Sequence, residues 1–233
     1  MPKIKFNPIL GYENLALRPK PAKIETPDWY KKMPMQMLHM NTPVGKEFGP
    51  NSHTVKRCIP LFDGMTSGYL FFSYADIIVK VENGCSRITW SHESNVVEVH
   101  EKNQLQGMPL PMGYYKDEAF KWFNPIKIQT PKGYSSLFVS PLIRNELPFQ
   151  CFPAIVDTDT YTSAIHFPFL IRKNWEGKIP RGTPIMQVIP FKREDWKMDY
   201  SDEPIDNDKE ISLLKTMFNS AYKKMYWQKK YYI

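Results

Sequence analysis

Cysteine is scarce in this chain. Three occur in 233 residues, Cys58, Cys85 and Cys151, far apart and without a C-x-x-C pair. That excludes a disulfide framework and a cysteine-built zinc site, and leaves three buried small hydrophobes of a reducing compartment. Long apolar runs are also missing. The most apolar stretches, around residues 69–75 and 165–171, fall far short of the roughly 20 residues of a helical membrane span. The opening MPKIKFNPILGYENL holds no apolar core of signal-peptide length. These absences predict a soluble, cytoplasmic protein with no membrane partner. Glycine is sparse as well, 11 against 21 prolines, and Gly64 and Gly68 read as isolated turn glycines. No G-x-x-x-x-G-K-[ST], G-x-G-x-x-G or H-E-x-x-H motif exists.

What is present narrows the fold. Proline at this frequency breaks long helices and central strands, so most of the chain is no helical bundle. The apolar share of 42% and aromatic share of 14% exclude disorder. The length fits one domain with appendages, and such a chain buries roughly 70% of its unfolded surface without staples.

Eight prolines fall in the first 50 residues, together with Trp29, Tyr30, Met33, Met35, Met37 and Met40. Residues 1–55 therefore read as an extended arm packed on the domain or on a neighbouring subunit. One helical turn is expected between Pro27-Asp28 and Pro34. Residues 56–200 read as the main domain. Its strand candidates are 56–60, 68–74, 77–82, 86–91, 96–101, 126–130, 134–139, 154–156, 163–170 and 185–191. Asn83-Gly84 is a two-residue hairpin turn. This pattern predicts a mainly β sandwich or barrel. Residues 201–233 read as an acidic linker and an amphipathic helix, capped by Asp206 or Asn207. Its apolar face is Ile211, Leu214, Met217, Phe218, Ala221, Tyr222 and Met225. The tail interleaves Lys223, Lys224, Lys229 and Lys230 with Tyr226, Trp227, Tyr231 and Tyr232. With a net charge of only +7, the tail reads as a docking segment, and nucleic acid is not an expected partner.

Several residues carry candidate chemistry. Asp157 and Asp159 lie on a turn between strands. One reading makes Asp157 a general base on water and Asp159 an orienting group for substrate or metal. The other makes Asp-Thr-Asp-Thr ordinary turn chemistry. His92, Glu98 and His100 share strand parity, and with His166 they could form a 2-His-1-carboxylate iron site. The spacing of cupin oxygenases is absent, so a solvated strand face is the simpler reading. Cys151 beside His166 and Asp157 carries no nucleophile signature.

Three segments resemble the second half of the trimeric deoxyuridine triphosphatase and deoxycytidine triphosphate deaminase group, whose fold is the β-clip. Ile128-Gln129-Thr130-Pro131-Lys132-Gly133-Tyr134 is similar to that group's strand ending in a Pro-x-Gly-Tyr turn. Ile155-Val156-Asp157-Thr158-Asp159-Thr160-Tyr161 is similar to its Ile-Asp-Ser-Asp-Tyr hairpin, which holds the base and the water-activating aspartate. Ile179-Pro180-Arg181-Gly182-Thr183-Pro184-Ile185-Met186-Gln187-Val188 is similar to its Gly-Asp-Arg-Ile-Ala-Gln strand, whose glutamine faces phosphate. The resemblance implies Asp157 and Asp159 as catalytic residues, and Tyr161, Gln187, Lys132 and Arg144 as ligand-binding ones. It implies Mg²⁺ if nucleotides are hydrolysed, no protein-held metal otherwise, and a homotrimer. The departures point away from catalysis. Val139-Ser140-Pro141-Leu142 replaces the Pro-Arg-Ser phosphate loop, Thr183-Pro184 replaces Asp-Arg, and a helix stands where a glycine-rich lid would be.

As a whole the chain resembles a family seen in tailed phages, notably marine T4-like ones, and in some bacteria, with no activity attached. Pro27-Asp28-Trp29-Tyr30-Lys31-Lys32-Met33-Pro34 and the 182–193 stretch carry that resemblance. The expectation is a mainly β, β-clip-like barrel or sandwich with an extended Pro-rich N-terminal arm and a C-terminal amphipathic helix. Its expected role is a non-catalytic structural or binding protein, phage-encoded, in host cytoplasm or virion, with a virion or other protein partner. The alternative is a nucleotide-binding or deoxynucleoside triphosphate-hydrolysing enzyme, and the third reading is a metal-dependent oxygenase.

Overall fold

Short apolar-polar runs broken by proline and glycine give short strands. The computed structural model describes residues 1–36, 54–100, 102–114, 118–161, 163–204, 208 and 221–233. Among them run β1 (Lys5–Pro8), β2 (Lys20–Pro21), β3 (Tyr69–Phe72), β4 (Ile77–Glu82), β5 (Cys85–Trp90), β6 (Val97–His100) and β7 (Ala119–Trp122). They continue as β8 (Ile126–Gln129), β9 (Tyr134–Val139), β10 (Phe149–Cys151), β11 (Ala154–Val156), β12 (Phe167–Ile171), β13 (Gly177–Ile179) and β14 (Pro184–Lys192). The protein is mainly β.

The strands form four antiparallel sheets, in orders β11-β9-β14-β3-β2, β10-β12-β7-β6, β13-β4-β5 and β1-β8. None closes into a barrel among the described residues. The Asn83-Gly84 hairpin is as expected: Glu82 pairs with Cys85, and both turn residues have positive φ, 52° and 76°. That is the type I′ geometry whose twist matches the strands.

The chain divides into two units. The first comprises Met1–Glu25 and Gly68–Arg193 and contains all fourteen strands. Its core draws on all four sheets. Trp122 stacks on Phe169 at 4.1 Å, and Phe167 meets both Phe71 and Phe138. β3 is buried on both faces, with Leu70 and Phe72 packing on Ala22 and Leu17. That explains its continuous Tyr-Leu-Phe-Phe run. The Pro-rich first 25 residues are held by backbone pairing, Phe6 opposite Ile128 and Lys20 opposite Leu70.

The second unit comprises Thr26–Ser67 and Glu194–Ile233. The helical turn expected after Pro27 runs over Asp28–Lys32. The Lys56 ammonium closes its end by donating to the carbonyls of Lys31 and Met33 at 2.7 and 2.8 Å, a cation at a helix C-terminus. The strand expected over 56–60 is not formed. Thr54 accepts the Lys56 N–H and starts a 3-10 turn, and Pro60 lies in the first turn of an Ile59–Thr66 helix. Periodicity alone cannot separate a short apolar strand from such a helix. In the tail, Trp227 Nε1 and Lys230 Nζ both donate to Asp63 on that helix. Helix is described there at Ala221–Met225. Met37, Met40 and the expected helix face from Ile211 to Phe218 lie outside the described residues.

Candidate functional site

The three resembling segments come together at one sheet, the first through the 130–134 turn that leads from β8 into β9, because β9 pairs with β11 on one side and β14 on the other. Val156 lies opposite Ser136, and Lys192 opposite Tyr134. β11 therefore ends, β9 begins and β14 ends at one level. Asp157, Ser135 and Arg193 are neighbours as a result. Sequence reasoning passed over Arg193. The signal was its place one residue past β14, beside the Pro131-Lys132-Gly133 turn.

Arg193 organises this end of the sheet. Its backbone N–H donates to Gly133 O at 2.8 Å. Its guanidinium donates to both oxygens of Asp159 and, at 3.1 Å, to Asp157 Oδ1. Asp159 Oδ2 also accepts the Gly133 N–H at 2.8 Å. The Asp159 side chain is 2% exposed. The Arg193 guanidinium, with the Gly133 N–H second, holds its carboxyl at about 2, well below the usual range. Asp157 is different: its side chain is 62% exposed, and Oδ1 accepts from Ser135 Oγ at 2.6 Å. Between them Thr158 is fully buried, its hydroxyl within 2.8 Å of Thr130 Oγ1 and 2.9 Å of Ser136 Oγ. The turn is thus fastened by Asp159 and Thr158 while Asp157 faces outward. Lys132 and Tyr161 are exposed at the same end.

Gln187 and Arg144 lie elsewhere. Gln187 pairs with Val139, four residues along β9 from Ser135, about 13 Å at strand rise. Gln187 is buried, and its Oε1 accepts the Leu142 N–H at 2.8 Å. It thereby shapes the 140–147 loop. Ile143 in that loop has φ 61°, a left-handed conformation that costs a β-branched residue roughly 1–2 kcal/mol. The loop rims a hollow of about 400 Å³ that includes Ser140, Leu142, Arg144, Gln150 and Arg172. Arg144 is partly committed, through Nε to Glu146 and Nη1 to the Glu25 carbonyl. Arg172 Nη2 donates to the carbonyls of Asn145 and Leu147. The six candidate residues therefore fall into two groups within one chain.

The other candidates have local roles. Cys151 is buried, its Sγ donates to Ile185 O at 3.0 Å, and burial pushes its thiol up to about 12. His92 sits in the bend after β5, off any strand, and its Nδ1 accepts the Ser94 N–H. His166 Nδ1 accepts the Asn124 N–H, its ring packs on Phe123, and burial lowers its pKa. No group of three His, Cys, Asp or Glu side chains is placed to hold a metal among the described residues. No helix among them is long and apolar enough to cross a membrane.

No family model matches the chain, and no curated protein matches it. Among solved structures the chain is similar to a mutant dUTPase from phage phi11 of S. aureus, in work on the coordination of a structural Mg(II) ion. The TM-score is 0.39 and the identity 10%, over 88% of this chain and 99% of that chain. The mainly β fold class stands on the four sheets themselves, independently of that likeness.

Proposed function

We propose that this chain is a non-catalytic structural or binding protein on a β-clip-like scaffold, phage-encoded, working in host cytoplasm or virion as a homotrimer with protein partners. One observation carries the reading: Asp159, half of the catalytic pair implied by resemblance, is enclosed and saturated by Arg193 and Gly133. A carboxylate locked in this way is a poor ligand for substrate or cation. With Asp157 Oδ1 also engaged, little remains at this turn to hold Mg²⁺, and no step is derived through one. The test is a panel of deoxynucleoside triphosphates with Mg²⁺, read by product release and by thermal shift. The expected result is neither turnover nor stabilisation. Turnover that disappears in Asp157→Ala would overturn the reading.

A second reading keeps nucleotide binding without hydrolysis. The hollow at 140–147 favours it, because two guanidinium groups, Arg144 and Arg172, line one open concavity. Anionic ligands are recognised by such forks. A thermal shift with triphosphates, lost in Arg172→Ala and unaccompanied by product, would select this reading.

A further inference from the structure

His166 has no part in the site described above. It is half-buried just before β12 and sits against residues 123–125, the corner that joins β7 to β8. Its Nδ1 lies 3.2 Å from the Asn124 backbone nitrogen. A backbone N–H can only donate, so Nδ1 carries no proton and the neutral ring keeps its hydrogen on Nε2. A proton added to Nδ1 sets two donors against each other.

The corner in turn carries the N-terminal segment. Asn124 is buried, and its side chain brackets Ile126: Nδ2 donates to the carbonyl at 2.7 Å, and Oδ1 accepts the N–H at 3.0 Å. Pro8 lies opposite Ile126 at the end of the β1–β8 pair, and the Pro125 carbonyl accepts the Ile9 N–H at 2.9 Å. Phe123 touches two rings. Its centroid is 4.8 Å from that of His166 and 5.1 Å from that of Tyr12. Tyr12 stands edge-on to Tyr74. Residues 5–12 thus rest on the corner through β1, Ile9 and Tyr12, while His166 holds the corner from the other strand.

We propose that His166 is an acid-released latch: a proton on Nδ1 breaks its bond to Asn124 and frees residues 5–12 from the 123–126 corner, while the other sheets stay closed. Two charges act on the ring. Glu98 on β6 and Lys121 on β7 lie opposite one another in register. Glu98 favours the imidazolium and Lys121 opposes it. From the N-terminal side and β3 the titratable groups are the phenols of Tyr12 and Tyr74, and burial pushes that of Tyr74 further up. Burial is the largest influence on His166 and sets the direction, below the ordinary 6.5. In the released form the ring is in water and takes its proton at the ordinary value. The latch is therefore intact above that value and weakens as pH falls below it.

Amide hydrogen exchange of the full chain tests this, read as protection factors between about pH 7.5 and about pH 5. That window lies above the titration of Asp159. Protection at Ile9, Tyr12 and Asn124 is expected to fall by up to about tenfold per pH unit, the slope of one proton. Amides of the β9–β14 pair keep theirs. His166→Asn places Oδ1 where Nδ1 stood, an acceptor that takes no proton, so the same three amides should hold their protection across the window. Imidazole ¹⁵N shifts of the wild type need no variant. They should place the proton on Nε2 near neutrality and show a midpoint below 6.5 that the Asn124 amide follows. A proton on Nδ1, a midpoint at or above 6.5, protection unchanged through the midpoint, a loss shared by β9 and β14, or an equal loss in His166→Asn each overturns the proposal. Nucleotides and partner chains have no part in these readouts, so the latch and the reading above fail separately.

Discussion

Arg193 closes on Asp159 as a fork, one nitrogen to each oxygen, just where β14 ends. The pair joins a strand end to a turn that is 34 residues away in sequence. Arg193→Met leaves an enclosed carboxylate without its cation, which lowers the melting temperature at pH 7 by several degrees. Adding Asp159→Asn to that variant recovers part of the loss. A double-mutant cycle by urea melts measures the coupling. A double variant that loses the sum of the two single losses would show the fork to be idle.

The same pair sets an acid dependence. Asp159 titrates at about 2 in the fold, below its ordinary value of 3.8. A lowered folded pKa stabilises above the ordinary value and loses that contribution as pH falls from about 4 towards 2. Urea midpoints of wild type and Asp159→Asn should therefore converge over that window. Parallel curves would contradict the assignment.

Gly68 approaches Val188 so closely that a Cβ would lie 2.1 Å from its carbonyl oxygen, and its φ is +70°. Gly68→Ala adds a clash with backbone to an unfavourable conformation. The expected loss is about 1–3 kcal/mol in chemical denaturation. An unchanged midpoint would mean that β3 and β14 separate freely there.

Thiol labelling separates the three cysteines. Against the expectation of three buried thiols, Cys58 and Cys85 are exposed and Cys151 alone is buried, because the first lies at a helix start and the second beside a hairpin turn. With its thiol at about 12 against an ordinary 9, Cys151 offers on the order of 1,000-fold less thiolate near neutrality. Two equivalents should react quickly in native protein and the third after unfolding. Rapid native labelling of Cys151 would reopen its reading as a nucleophile.

Strands with strong local patterning were legible in the sequence. β4, β9 and β11 fall on their expected residues, and Asn83-Gly84 makes the expected turn. β1, β2, β7, β10 and β13 were not foreseen. They are two to four residues long, and their pairing rests on distant partners such as Ile128 for Phe6. The Asp157 and Asp159 turn was legible as a feature. Its division into one exposed and one enclosed carboxylate was not, because Arg193 arrives from another strand. Gln187 was singled out only through the resemblance, and its bond to Leu142 depends on a loop 45 residues away. Local chemistry is written along the chain, and long-range partners are not.

The pairing of β1 with β8 puts a clock on synthesis. Lys5 emerges early, yet its partner Gln129 follows about 120 residues later, roughly 6–25 s at ordinary elongation rates. Through that interval the first strand waits without a ladder, and the five-stranded sheet waits longer still for β14. Proline suits such a wait: Pro8 in β1 and Pro21 in β2 each remove a donor and stiffen the backbone, which makes a poorer template for premature pairing.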